Sequence, residues 1–194
     1  MTETRLGLLR HGQTDWNIDF RLQGISDIPL NATGIQQAEN VARELAAEDW
    51  DLILASPLSR AIDTAKAVSE SFGGFALRVE PLLIERSFGE AEGLSYEEYR
   101  NRFGRNGAPN GETLDELRLR VENLLHFVVE EFAGKRVLAV SHGALIRKAI
   151  RVVSNNTLPL EGQRFMNTSL STLIHRPETG WQIENFEPGV YQRA

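Results

Sequence analysis

The chain has 194 residues, 41% of them apolar and 25% charged, with a net charge of −6 and no cysteine. This is the makeup of an ordinary globular protein, read as one domain over residues 1–194, rather than of a disordered chain. The lack of thiols excludes disulfides, thiolate nucleophiles and thiolate metal sites. The acidic balance argues against nucleic acid as a partner, and no apolar run approaches the roughly 18 residues of a membrane span.

The first predicted element is a buried strand, Leu6 to Leu9, which runs straight into Arg10-His11-Gly12. Residues 13–30 are polar, carry Gly24 and Pro29, and read as a loop that covers the strand end. Thr33 and Gln36 have capping-box spacing, and Ile35, Ala38, Ala42 and Leu45 recur at helical intervals, so a helix is expected to end near Glu48. A second strand, Leu52 to Ala55, passes through Ser56 as N-cap and Pro57 into a helix closed by Gly73-Gly74. Arg60 falls near the first turn of that helix, where the dipole disfavours a cation. A bound anion would resolve that conflict.

Leu77 to Ile84 reads as a third strand that stops at Glu85. Residues 86–112 look like a second covering loop, with Tyr96 and Tyr99 on a short helix. Thr113 and Glu116 repeat the capping box, and Leu117, Val121, Leu124, Val128 and Phe132 form one apolar face of a long helix, with His126 at its boundary. The strand Val137 to Val140 then enters Ser141-His142-Gly143 and a helix from about Ala144 to Val153. Two final strands, Ser169 to His175 and Trp181 to Phe186, are joined by a turn through Pro177 and Gly180 and pair antiparallel. Before them, strand and helix alternate, which predicts a largely parallel sheet covered by helices on both faces.

Two of only four histidines stand at carboxyl ends of strands, where chemistry gathers in α/β proteins. Arg10 stands beside His11 at the first of these ends, and Arg60 and Glu85 stand at or near two other strand ends. Two arginines and two histidines can surround a dianionic phosphoryl group, because the guanidinium fork matches phosphate oxygens and stays charged. In such a pocket one neutral imidazole can attack phosphorus, and the cations help keep it neutral. Glu85 would protonate the leaving alkoxide and then take a proton from water.

The segment from Leu8 through Arg10-His11-Gly12-Gln13-Thr14 to Asn17 resembles the signature of the histidine phosphatase superfamily, in the branch that includes cofactor-dependent phosphoglycerate mutase. The resemblance continues in order through Gln23-Gly24 with Asp27, then Ser56-Pro57-Leu58-Ser59-Arg60-Ala61 with Thr64-Ala65. It goes on through Glu85, Glu92-Gly93, Gly111-Glu112-Thr113 and Val140-Ser141-His142-Gly143, covering roughly residues 6–175. It implies a three-layer α/β sandwich with a mostly parallel mixed sheet. It also implies His11 as nucleophile, Glu85 as proton donor, Arg10, Arg60 and His142 as phosphate ligands, and Asn17, Gln23 and Gly24 as pocket contacts. No metal or other cofactor is implied.

Mutases of the family resemble one another in a Glu-Arg-His-Tyr segment where this chain has Glu85-Arg86-Ser87-Phe88, and in His-Gly-Asn-Ser where it has His142-Gly143-Ala144-Leu145. Both differences remove polar groups, and the interval between Gly93 and Gly111 is too short for the arginine-bearing insertion of mutases. The expected activity is hydrolysis of small phosphorylated metabolites, with mutase action as the alternative. A non-haem iron triad of His11, His142 and Glu85 is a remote third, disfavoured because Arg10 and Arg60 would repel a dication. The N-terminal apolar run is too short for a secretory leader, so the expected location is the cytoplasm, and a homo-oligomer is left open.

Overall fold

The computed structural model describes residues 3–45, 50–104, 107–186 and 189–190. Along the chain run β1 (Thr4–Arg10), α1 (Asp15–Ile18), α2 (Ala32–Leu45), β2 (Leu52–Ala55), α3 (Ser59–Ser71), β3 (Leu77–Val79) and α4 (Tyr96–Phe103). They are followed by α5 (Leu114–Glu131), β4 (Arg136–Ser141), α6 (Gly143–Val153), β5 (Gln163–Arg164), β6 (Leu170–Arg176), β7 (Gly180–Phe186) and β8 (Gly189–Val190). Among the described residues, no helix is long and apolar enough to cross a membrane.

Six strands form one mixed sheet in the order β3-β2-β4-β1-β6-β7. The first four are parallel, and β6 and β7 extend the sheet as an antiparallel pair. Strand residues alternate between two cores, as a pleat with both faces covered requires. Leu6, Leu8, Leu54, Val137 and Ala139 pack with α5 and α6 on one face. Leu9, Ile53, Ala55, Leu138 and Val140 pack with α2 and α3 on the other. The architecture is therefore the three-layer α/β sandwich that was expected.

Several boundaries differ from the sequence expectation. The strand placed at Leu77 to Ile84 ends at Val79, because the Glu80 carboxylate accepts from the Leu82 N–H and Pro81, which has no N–H to give a ladder, opens a 3₁₀ turn. Helix α2 is capped by Asn31, whose Oδ1 accepts from the Gly34 N–H at 2.8 Å, and not by Thr33. Its expected end near Glu48 lies outside the described residues. The loop at 13–30 contains α1, closed by a capping box between Thr14 and Asn17. Ser56 is not the cap of α3; that position is Leu58, and Ser56 turns into the site described below. The capping box at Thr113 and Glu116 is present, and His126 is exposed beside Glu130.

Strands β1 and β4 are parallel neighbours with Arg10 opposite Ser141. The two His-Gly sequences therefore leave the sheet side by side at its carboxyl edge.

Candidate active site

The His11 N–H donates to the Ser141 carbonyl at 3.0 Å, which fixes the backbone where the chain leaves β1. Both imidazoles are buried, His11 3% exposed and His142 0%, with ring centroids 5.0 Å apart. His11 Nδ1 lies 2.6 Å from the Gly12 carbonyl oxygen. A carbonyl can only accept, so Nδ1 carries the proton and Nε2 is the unprotonated nitrogen.

His142 has the opposite tautomer. Arg60 Nε donates to its Nδ1 at 3.2 Å, so in the neutral ring the proton sits on Nε2, which donates to Ser56 Oγ at 2.7 Å. Burial holds both rings well below the ordinary histidine value. Arg10 and Arg60 push His11 further down, and His11, the same arginines and Arg120 do so for His142. Neither ring is cationic at neutral pH.

The positive charge is carried by the guanidiniums. Arg60, with no exposed surface, donates from Nη2 to the Gly24 carbonyl and from Nη1 to the Ser26 carbonyl, each at 2.8 Å. With Nε on His142, three of its five N–H groups are engaged. Arg10 lies against Gly143 at the start of α6 and donates from Nη1 to the Phe165 carbonyl, while its buried Nε has no hydrogen-bond partner. Burial pushes Arg10 down to about 10, which leaves it charged at neutral pH.

Glu85 is 8% exposed and near enough to both arginines to favour their charged forms. Its Oε2 accepts from the Ala144 N–H at 2.9 Å and its Oε1 from the Leu145 N–H at 3.0 Å, in the first turn of α6. Oε1 also accepts from the Arg86 N–H at 2.9 Å, so Oε2 is the oxygen that keeps a second lone pair. The backbone after His142 thus aims Glu85, whatever side chains Ala144 and Leu145 carry.

The three expected pocket contacts divide by role. Gly24 offers its carbonyl to Arg60 and has φ +56°, and a Cβ there would meet the Glu92 carboxylate at 2.0 Å. Gln23 is buried with Oε1 lacking a partner. Asn17 uses its side-chain oxygen within the protein, accepting from the Thr14 N–H and from Asn167 Nδ2, which also donates to the His11 carbonyl.

Other residues that hold the site were given no role by sequence reasoning. Thr64 Oγ1 accepts from the Gly12 N–H at 3.0 Å and donates to the Arg60 carbonyl, tying the first His-Gly sequence to α3. Arg120 binds Glu112 bidentately and donates to the Leu82, Ile84 and Glu85 carbonyls, which fixes the segment carrying Glu85. Asn167 was findable in principle, since an antiparallel neighbour brings its amino end to the carboxyl edge of β1. Among the described residues, no three His, Asp or Glu side chains converge so as to hold a metal ion.

A profile of the histidine phosphatase superfamily, branch 1, matches residues 6–187. The chain belongs to this superfamily. It is 38% identical over 183 residues to the uncharacterized phosphatase PhoE of Bacillus subtilis, covering 94% of each chain. It is 33% identical over 196 residues to the probable phosphoglycerate mutase GpmB of Yersinia pestis, covering 92% of this chain and 90% of that one. A mycobacterial glucosyl-3-phosphoglycerate phosphatase in complex with VO3 superposes with a TM-score of 0.83 at 27% identity, covering 95% of this chain and 99% of that one. The histidine phosphatase fold thus extends over the whole sheet and its carboxyl edge.

Proposed function

We propose that this protein is a phosphatase that hydrolyses small organic phosphomonoesters through a phosphohistidine on His11. The observation that carries the proposal is the pairing of a neutral His11, unprotonated at Nε2, with two buried guanidiniums, one of which has a buried N–H without a partner. A buried unpartnered donor is costly unless a ligand takes it. A phosphoryl dianion supplies the missing acceptor and the missing negative charge.

In the first step Nε2 of His11 bonds to phosphorus and the ester P–O bond breaks, with the electron pair leaving on the alcohol oxygen. Glu85 gives that oxygen its proton. In the second step a water oxygen bonds to phosphorus while the P–Nε2 bond breaks and its electron pair returns to His11, Glu85 takes the water proton, and inorganic phosphate departs. Arg10 and Arg60 hold the equatorial oxygens, where charge is spread in the transition state. His142 helps through its Nε2–H, which passes from Ser56 to a phosphoryl oxygen. Gln23 and Asn17 complete the rim. Small phosphorylated metabolites are retained inside cells by their charge, so the proposal includes a cytoplasmic location.

His11→Ala should abolish phosphate release while the circular dichroism spectrum and melting temperature stay close to those of the parent, and the parent should form a transient acid-labile phosphoenzyme. Near-normal turnover by the variant would sink the mechanism. Glu85→Gln should slow alkyl phosphates more than p-nitrophenyl phosphate, whose leaving group needs less protonation; equal losses would remove Glu85 as the acid. The likeness to the GpmB protein keeps a mutase as the second reading. Incubation with 3-phosphoglycerate separates them, since a mutase forms 2-phosphoglycerate and a phosphatase releases inorganic phosphate.

A further inference from the structure

Beside Glu85 opens a cavity of about 630 Å³. Ile25, between the two carbonyls that hold Arg60, forms part of its wall, so the cavity begins where the proposed proton donor and phosphate pocket meet. The ester oxygen must lie within reach of Glu85 to be protonated, so the alcohol half of a substrate extends into the space that Glu85 borders.

Ser87, Asn110 and Asn123 are the neutral polar residues of the wall, and its apolar and charged groups set its character. Ile25, Leu82, Ile84 and Leu119 supply an aliphatic face. The charged lining residues are Glu85, Glu112, Glu116 and one cation, Arg120. All five N–H groups of Arg120 are engaged: Nε and one Nη2 N–H on the Glu112 carboxylate, two Nη1 N–H groups on the Leu82 and Ile84 carbonyls, and the last, at 3.5 Å, on the Glu85 carbonyl. Arg86 lines the adjoining smaller cavity, where its Nε donates to the Glu112 carbonyl and its guanidinium lies over Phe88. Arg120, the cation of this wall, has no donor left for a second anionic group, and the Glu112 and Glu116 carboxylates would face it.

We infer that the substrate's leaving group is an uncharged alcohol with an apolar face, and that phosphate esters bearing a carboxylate, such as 3-phosphoglycerate, are disfavoured. This rests on the phosphatase reading above and assigns the substrate class of that same site. Selectivity here comes from repulsion and unmatched desolvation of the wrong ligand as much as from contact with the right one.

The test compares pentyl phosphate with 4-carboxybutyl phosphate, whose leaving alcohols are of nearly equal acidity and length. The expected kcat/KM is at least tenfold higher for pentyl phosphate. Leu119 is 58% exposed, so Leu119→Lys places a cation at the cavity wall without disturbing the core, and it should raise kcat/KM for the carboxylated ester severalfold. A parent ratio near one, or a ratio that Leu119→Lys leaves unmoved, overturns the inference. If p-nitrophenyl phosphate releases no phosphate either, the phosphatase reading itself fails and takes the inference with it.

Discussion

At the scale of single residues, the two histidines differ in which nitrogen holds the proton, and that difference is set by one acceptor and one donor. The Gly12 carbonyl draws the proton of His11 to Nδ1, and the Arg60 Nε–H demands a lone pair at Nδ1 of His142. Their depressed pKa values make stability depend on pH. Below about pH 6.5 the unfolded chain takes up protons on these histidines that the folded protein refuses. Stability is therefore fully present above the unfolded pKa and falls as pH drops below it toward the lower folded values, by about 1.4 kcal/mol per pH unit for each histidine. His142→Gln can keep both hydrogen bonds, with Oε1 toward Arg60 and Nε2 toward Ser56, but does not titrate. Urea unfolding at pH 6.5 and 5.5 should show the parent losing about 1 kcal/mol more than this variant; equal losses would falsify the neutral assignment of His142. Sequence alone shows two equivalent His-Gly pairs, because the groups that distinguish them come from a backbone carbonyl and from a helix 82 residues away.

At the scale of elements, the site is held by groups that cap and clasp across the fold. Helix α3 begins at Leu58, which offers no side-chain cap, and Asp27 supplies it from the first loop by accepting from the Ser59 N–H and hydroxyl at 2.8 and 2.7 Å. Glu92 then accepts from the Ile25, Ser26 and Phe88 N–H groups and from the Ser26 hydroxyl, which joins the first covering loop to the second. Capping boxes such as Thr113 with Glu116 are legible because both partners lie within four residues. A cap supplied in trans by Asp27 is not, and so Ser56 is read as the cap of α3. The strand expected to reach Ile84 shows the same limit, since the Glu80 side chain and Pro81 end it before its apolar run does. Glu92→Gln converts one accepting oxygen into a donor facing backbone N–H groups, leaving at least one of them unmatched. The loop carbonyls that hold Arg60 should lose their fixed positions. We expect KM to rise at least fivefold for any phosphate ester, with a stability loss of about 1–3 kcal/mol. Steady-state kinetics equal to those of the parent would show that Glu92 holds the loops without organising the pocket.

At the scale of the whole molecule, the sheet order decides what meets. The alternation of strand and helix foretells a parallel sheet, and the short turn through Pro177 and Gly180 foretells an antiparallel hairpin, but the docking of β6 beside β1 is a non-local choice that no local pattern encodes. That choice brings Asn167 to the His11 carbonyl and Phe165 to Arg10. The same edge gathers two buried guanidiniums that, among the described residues, form no ion pair with a carboxylate, an arrangement that costs stability when no anion is present. Inorganic phosphate should therefore bind the folded chain only, and at about one hundred times its Kd it should add about 2.7 kcal/mol. For a chain of this length that corresponds to a rise in Tm of about 5–10 °C. Arg10→Met removes a buried charge whose Nε has no partner, along with a single hydrogen bond to the Phe165 carbonyl. In differential scanning fluorimetry the variant should melt at or above the temperature of the phosphate-free parent and lose the rise that phosphate gives. If it melts lower and still responds to phosphate, Arg10 is held by the protein for the protein's own stability, and the anion is bound by Arg60 without it.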